Sequence, residues 1–118
     1  MSNTNRSNLT ALIEGISTGR GMEVFDQFYA DDVVMSENGA EDPARVGKEA
    51  NRSFEQFFYD NSEWFGARVH SVMADGDTTA YGMWMDLSFQ GQRMQRDQMA
   101  VQEWKDGKIV KETFYYAS

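Results

Sequence analysis

Glu63–Tyr116 reads EWFGARVHSVMADGDTTAYGMWMDLSFQGQRMQRDQMAVQEWKDGKIVKETFYY, and its punctuation decides the fold. Four β-rich runs, Glu63–Ala74, Thr78–Phe89, Arg93–Trp104 and Lys108–Tyr116, are parted by Asp75-Gly76-Asp77, Gln90-Gly91-Gln92 and Lys105-Asp106-Gly107. Each break holds a glycine that accepts positive φ, beside polar residues that hydrogen-bond their own backbone. Such a break is a hairpin signal. The result is an antiparallel meander whose strands, at about ten residues, exceed the usual length. A sheet that long, with only short helices ahead of it, must curl to bury its inner face. A cone enclosing a pocket is expected.

Upstream of the meander the period changes from two to 3.6. Ser7 or Asn8 caps a helix with Leu9, Leu12, Ile13 and Ile16 on one face, leaving residues 1–6 as an expected flexible tail. Thr18-Gly19-Arg20-Gly21 ends it. A second short helix carries Met22, Phe25, Phe28 and Tyr29 and stops near Ala30-Asp31-Asp32. Val33-Val34-Met35 reads as a short strand and Ser36–Arg45, with the only proline, Pro43, as a loop. Gly47–Asp60 is a third helix with Ala50, Phe54, Phe57 and Phe58 on its expected buried face. The order α-α-β-loop-α-β-β-β-β is an α+β class: a curved antiparallel sheet forming a cone over about three N-terminal helices.

Composition limits the partners. A chain of 118 residues, 41% hydrophobic and 14% aromatic, builds one core and one domain, 1–118. The 19 acidic against 11 basic residues give a net charge of -8, which repels phosphate backbones and anionic lipid heads. Neither nucleic acid nor membrane is an expected partner. With no cysteine, thiolate catalysis and Cys-ligated metals are excluded. The polar start Met1–Arg6 has no apolar signal core behind it, and a cytoplasmic protein is expected.

Three separated segments then carry a resemblance. Phe28-Tyr29-Ala30-Asp31-Asp32-Val33 resembles the opening segment of many SnoaL-like proteins, a group of the nuclear transport factor 2-like superfamily. Val46-Gly47-Lys48-Glu49-Ala50 is similar to the start of their third helix. Glu103–Val110 with Glu112–Tyr116 is similar to their last hairpin. The resemblance runs from about Leu9 to Tyr116 and implies the cone fold. It leaves function open, because the fold hosts isomerases, cyclases, hydrolases, dehydratases and binding modules.

The chemistry of such proteins can be sought residue by residue. In ketosteroid isomerase a carboxylate on the first strand is the base, with a Tyr and a protonated Asp as oxyanion donors. The resemblance places the base on Glu37 and the donors near Ile13 and Ala100, which have no donor side chain. Ketosteroid isomerase activity is therefore not expected, while a pocket carboxylate is. Limonene epoxide hydrolase uses an Asp-Arg-Asp set, but Arg96 and Asp97 are adjacent on a strand and face opposite ways. SnoaL-type cyclases pair an Asp with a His. The only histidine, His70, shares a face with Trp64, Arg68 and Val72, opposite Phe65, Ala67, Val69 and Met73. An ordinary or interface histidine is the plainer reading.

Glu112 interrupts the apolar alternation Val110, Phe114, Tyr116, so burial would raise its pKa unless donors compensate. Two registers stand. A three-residue Lys105-Asp106-Gly107 loop with a bulge puts Glu112 beside Gln98, Ala100 and Gln102. A two-residue Asp106-Gly107 turn puts it beside Asp97, Met99 and Val101. Glu112 is either a pocket acid/base or a structural carboxylate.

Tyr81, Met83, Met85, Leu87 and Phe89 alternate along the second long strand. They are core, or the adaptable wall of a pocket for an apolar ligand. The expected ligand-binding set is Met83, Met85, Leu87, Gln98, Gln102, Phe114 and Tyr116, with Glu37 and Glu112 as acid/base. Trp84 and Asp86 face the other way, and a homodimer through that outer face would cover the tryptophan. Glu37, Glu41 and Asp42 have irregular spacing and no EF-hand pattern, so no metal is expected, nor any cofactor. Two classes of function remain: proton-transfer catalysis on a small apolar molecule, or binding or assembly without turnover.

Overall fold

Three helices lie against the concave face of one long, curved sheet. The computed structural model describes residues 2–38 and 44–117. The elements are α1 (Ser2–Ser17), α2 (Gly21–Phe28), β1 (Tyr29–Glu37), β2 (Arg45–Val46), α3 (Lys48–Asp60), β3 (Ser62–Asp75), β4 (Thr78–Phe89), β5 (Gln92–Lys105) and β6 (Lys108–Tyr116). The sheet order is β2-β1-β6-β5-β4-β3. All neighbours are antiparallel except β1 and β6, which run parallel. The sheet is therefore mixed, with the expected meander as its antiparallel part.

The helix stripe of α1 is as its period requires, with Leu9 and Leu12 fully buried. Its start differs from expectation. Residues 2–6 are helical rather than a tail, because Asn5, itself buried, donates to the Gly76 carbonyl at 3.0 Å and docks the first turn on the β3–β4 hairpin. Met1 lies outside the described residues, as do Glu41, Asp42 and Pro43 of the acidic segment. Gly19, at φ 81°, ends α1, and the Arg20 N–H returns to the Gly15 carbonyl at 2.7 Å. The core gathers Val24, Phe25 and Phe28 of α2 with Val33 and Met35 of β1, Leu87, Trp104 and Ile109.

Two further differences come from tertiary pairing. β1 starts at Tyr29, inside the expected second helix, because the parallel partner β6 supplies backbone hydrogen bonds that no local pattern advertises. Arg45–Val46, expected as loop and helix lead-in, forms a two-residue strand on β1. A third difference is a rotation of α3. Phe54 and Phe57 are about half exposed and Ala50 is exposed, whereas Asn51 is completely buried. The Asn51 amide donates to the carbonyls of Arg45 at 3.0 Å and Gly47 at 2.9 Å and accepts from Arg45 Nε at 3.1 Å. A buried amide satisfied on both ends sets the roll of the helix more strictly than a phenylalanine does. The inward stripe of α3 is consequently Asn51, Glu55, Phe58 and Tyr59.

Candidate functional site

The concave face and helices enclose a cavity of about 120 Å³. Its walls are Leu12, Ile16 and Phe25 from the first helices, Phe58 and Tyr59 from α3, and Tyr81, Met83, Met85 and Leu87 from β4. Strand alternation puts those four β4 residues on one face and Trp84 and Asp86 on the other. Met83, Met85, Leu87, Gln98 and Phe114 of the expected ligand set line the cavity. Gln102 and Tyr116 do not. Gln102 is fully buried with its amide committed elsewhere, and the Tyr116 hydroxyl is bound to Glu37 at 3.0 Å.

Glu112 lies at the centre of a buried polar chain. The last hairpin turns through Asp106-Gly107 alone, at φ 53° and 80°, yet a bulge between Trp104–Ile109 and Glu103–Lys111 restores the register Gln102 opposite Glu112. One turn alternative thus combines with the other alternative's face. Trp104 Nε1 donates to Thr79 Oγ1 at 2.8 Å, and the Thr79 hydroxyl donates to Gln102 Oε1 at 2.8 Å. Gln102 Nε2 then donates to Glu112 Oε2 at 2.7 Å, while the Tyr29 hydroxyl donates to Oε1. Tyr29 is stacked on Phe25 at 4.4 Å between ring centres, which fixes the ring. Burial pushes the Glu112 carboxyl up to about 7, against the lowering effect of the Tyr29 and Gln102 hydrogen bonds.

Glu37 ends β1 at the cavity mouth. Arg45 Nη2 pairs with it at 2.9 Å and its other oxygen accepts from Tyr116. Arg45 also stacks on Phe54, and Arg96, itself a wall residue, stacks on Tyr116, each at 3.8 Å. Arg96 and Asp97 face opposite ways as their adjacency requires. Asp97 turns outward and binds His70 Nε2 at 2.7 Å. Two β3 bulges, at Trp64–Gly66 and Val69–Ser71, break the expected alternation of that strand. Trp64 and Val69 pack inward while Phe65 and Met73 are about half exposed. His70 lies over Gly82 on the outer face, where any Cβ would collide with its ring, so it is not a cavity residue.

Three features escaped the sequence reading. Tyr29, Tyr59 and Tyr81 present polar groups to an otherwise apolar site, and burial raises the pKa of each, so all three are donors. Arg96 brings a cation to the wall. Glu55 is a third carboxylate. Its residue keeps a partly exposed edge, but its carboxyl is crowded on nearly all sides and burial pushes it up to about 7, with the charge of Glu112 adding to the effect. The spacing Asn51, Glu55, Phe58, Tyr59 was the available signal, masked by the more hydrophobic stripe beside it. Among the described residues no group of acidic and histidine side chains has metal-ligating geometry.

A SnoaL-like domain profile matches residues 9–112. The chain belongs to the SnoaL-like family. Within the nuclear transport factor 2-like fold, this SnoaL-like chain resembles a protein from Mesorhizobium loti provisionally assigned as a SnoaL-like polyketide cyclase. The two share 27% identity and a TM-score of 0.83 over 93% of this chain and 97% of the other. It shares the fold, at 17% identity and TM-score 0.79, with an LEH-like epoxide hydrolase from M. tuberculosis (98% and 84% covered). A provisionally assigned isomerase from Bacillus subtilis has 16% identity and TM-score 0.78, with 98% and 87% covered. No curated protein matches. Among the described residues no helix is long and apolar enough to cross a membrane.

Proposed function

We propose that this SnoaL-like protein takes a small, largely apolar molecule into the cavity and moves a proton on it with a pocket carboxyl group. The reaction class is isomerisation, cyclisation or dehydration, none of which requires a redox cofactor. One observation carries the reading: Glu55 lines the cavity among apolar walls with its carboxyl pushed up to about 7. Glu112, buried behind that wall, is pushed up to about 7 as well, so both protonation states are present near neutral pH. Glu112 and Glu37 are the acid/base candidates from the sequence; Glu37 lines the cavity, and Glu112 is buried one layer behind it. Met83, Met85, Leu87 and Phe114 form the ligand wall, and Gln98 supplies an amide to it. Gln102 and Tyr116 act one layer back by holding Glu112 and Glu37.

The test is occupancy followed by turnover. An apolar fluorescent dye should bind, and Met85→Trp should weaken it at least about tenfold by filling the cavity. Unchanged affinity would place the ligand elsewhere. A second reading, binding without turnover, is favoured by the occupancy of both Glu112 oxygens. It predicts a ligand recovered chemically unchanged.

The proposed partner, besides the ligand, is a second copy of the chain. Phe65, Met73 and Tyr115 are about half exposed on the convex face that also carries Trp84. Apolar groups grouped on one face mark an interface. A homodimer of about 27 kDa follows from the 13.5 kDa chain.

A further inference from the structure

We propose that Glu55 is the residue that exchanges a proton with the ligand, that the Tyr81 hydroxyl donates to a ligand oxygen, and that the ligand is therefore an apolar molecule bearing a carbonyl. The inference rests on the proton-transfer reading of the cavity and names the group that moves the proton. Of the three carboxylates, Glu112 has both oxygens engaged by Tyr29 and Gln102, and Glu37 has both engaged by Arg45 and Tyr116. Glu55 lines the cavity, as Glu37 does and Glu112 does not, and accepts no hydrogen bond from any described residue. Tyr81 lines it too, with its hydroxyl equally without a described partner. Among the described residues no fully buried side-chain oxygen lacks a partner. These oxygens are therefore accessible rather than sealed in the protein, and both residues line the cavity, where a ligand would meet them.

The surroundings suit a proton carrier. Facing Glu55 are Glu112 on β6, Glu37 and Tyr29 on β1, Arg45 on β2, Tyr81 on β4 and Tyr59 on its own helix. Among the described residues the first two helices contribute Leu12, Ile16, Gly21 and Phe25 to the cavity, none of them titratable. Burial and the Glu112 and Glu37 charges favour the protonated carboxyl, and Arg45 opposes them, leaving it near 7. Such a group takes and returns a proton with similar ease. As carboxylate, Glu55 removes a proton from the carbon next to the carbonyl. The C–H electron pair forms the new C=C bond, and the carbonyl π pair moves to oxygen, where Tyr81 donates to the enolate. The Glu55 carboxylic acid then returns the proton to a carbon of the enolate system and the carbonyl re-forms. Atoms and charge balance without a second reactant.

The probe is 2-indanone in D₂O, an apolar ketone whose α-protons exchange measurably by ¹H NMR. Wild type should accelerate exchange saturably, and Glu55→Gln should slow it about 100-fold, within the range of a lost general base. Tyr81→Phe should slow it at least about tenfold, and Glu49→Gln, exposed on the same helix, should leave it unchanged. Undiminished exchange in Glu55→Gln overturns the inference. If Glu112→Gln then abolishes exchange, the proton-transfer reading stands with Glu112 in the role. Binding of the ketone, seen in the Met83 and Met85 methyl signals, with no exchange above buffer would end both and leave the binding module. The Glu55 carboxyl carbon followed against pH without ligand supplies a second measurement. Agreement between its midpoint and the midpoint of the exchange rate against pH supports the inference, and an exchange rate that does not follow the Glu55 titration overturns it.

Discussion

The two faces of the sheet, one residue apart along the strands wherever no bulge intervenes, have opposite electrostatic character. On the concave face the polar groups of Trp104, Thr79, Gln102, Glu112 and Tyr29 join in a single buried chain, enclosed by apolar neighbours. On the convex face Asp86 pairs with Arg93 at 2.7 Å and His70 with Asp97 at 2.7 Å, with at least one partner of each pair well exposed to solvent. Inside, polar groups are few and coupled, so their protonation matters. Outside, solvent screens each pair, and the exposed aromatic and methionine side chains matter instead. A shift of one residue would move a side chain from the cavity wall to the outer face.

The largest test of this contrast is Glu112→Ala. At pH 5, where the wild-type carboxyl is protonated and no buried charge is relieved, it leaves the Tyr29 hydroxyl and Gln102 amide without an acceptor. A loss of about 3 kcal/mol is expected in denaturant unfolding; a loss within error would mean that the chain of hydrogen bonds is not structural.

Next in size is the pH dependence. Glu112 and Glu55 hold their protons more tightly in the fold, at about 7, than at the ordinary 4.5. Between those pH values the folded chain binds more protons than the unfolded one. Stability is therefore greatest below about 4.5 as far as these groups are concerned, falls as pH rises to about 7, and levels off above. The total is on the order of a few kcal/mol, and Glu55→Gln should flatten the curve by removing its share. Thermal melts from pH 4.5 to 8 that rise instead of falling would contradict the buried, unpaired state of Glu55.

On the convex face, Trp84→Ala should weaken the proposed homodimer by about 2 kcal/mol, as for a buried aromatic anchor. Light scattering at micromolar concentration should move from about 27 kDa toward 13.5 kDa. A wild-type monomer across salt conditions would remove the interface altogether. Smallest of all is Asp97→Asn. Its carboxylate is 64% exposed, so the stability change should stay within about 0.5 kcal/mol despite the short contact with His70.

The legible part of the site was the part carried by strands. Met83, Met85, Leu87, Gln98 and Phe114 reach the cavity because period-two alternation between glycine turns leaves few choices of face. Glu112 stood out because it interrupts an apolar face. Glu55 did not, because on α3 a stripe of Ala50, Phe54, Phe57 and Phe58 offered the more hydrophobic face, and hydrophobicity is the only signal an isolated helix gives. His70 and Phe65 were misplaced relative to their strand neighbours because bulges are invisible to a pattern count.

By itself, the sequence determined the meander, the three helices and the cone, since turns and periodicity are properties of neighbouring residues. Only the tertiary structure decided the parallel β1–β6 pairing, the last hairpin's bulge and the roll of α3 about Asn51. The β1–β6 pairing joins residues far apart in the chain, and the bulge and the helix roll are local alternatives among which only the packing of sheet against helices selects. That is why Glu37 and Glu55, far apart in the chain, line one cavity with Glu112 buried behind its wall, and why their chemistry belongs to the fold.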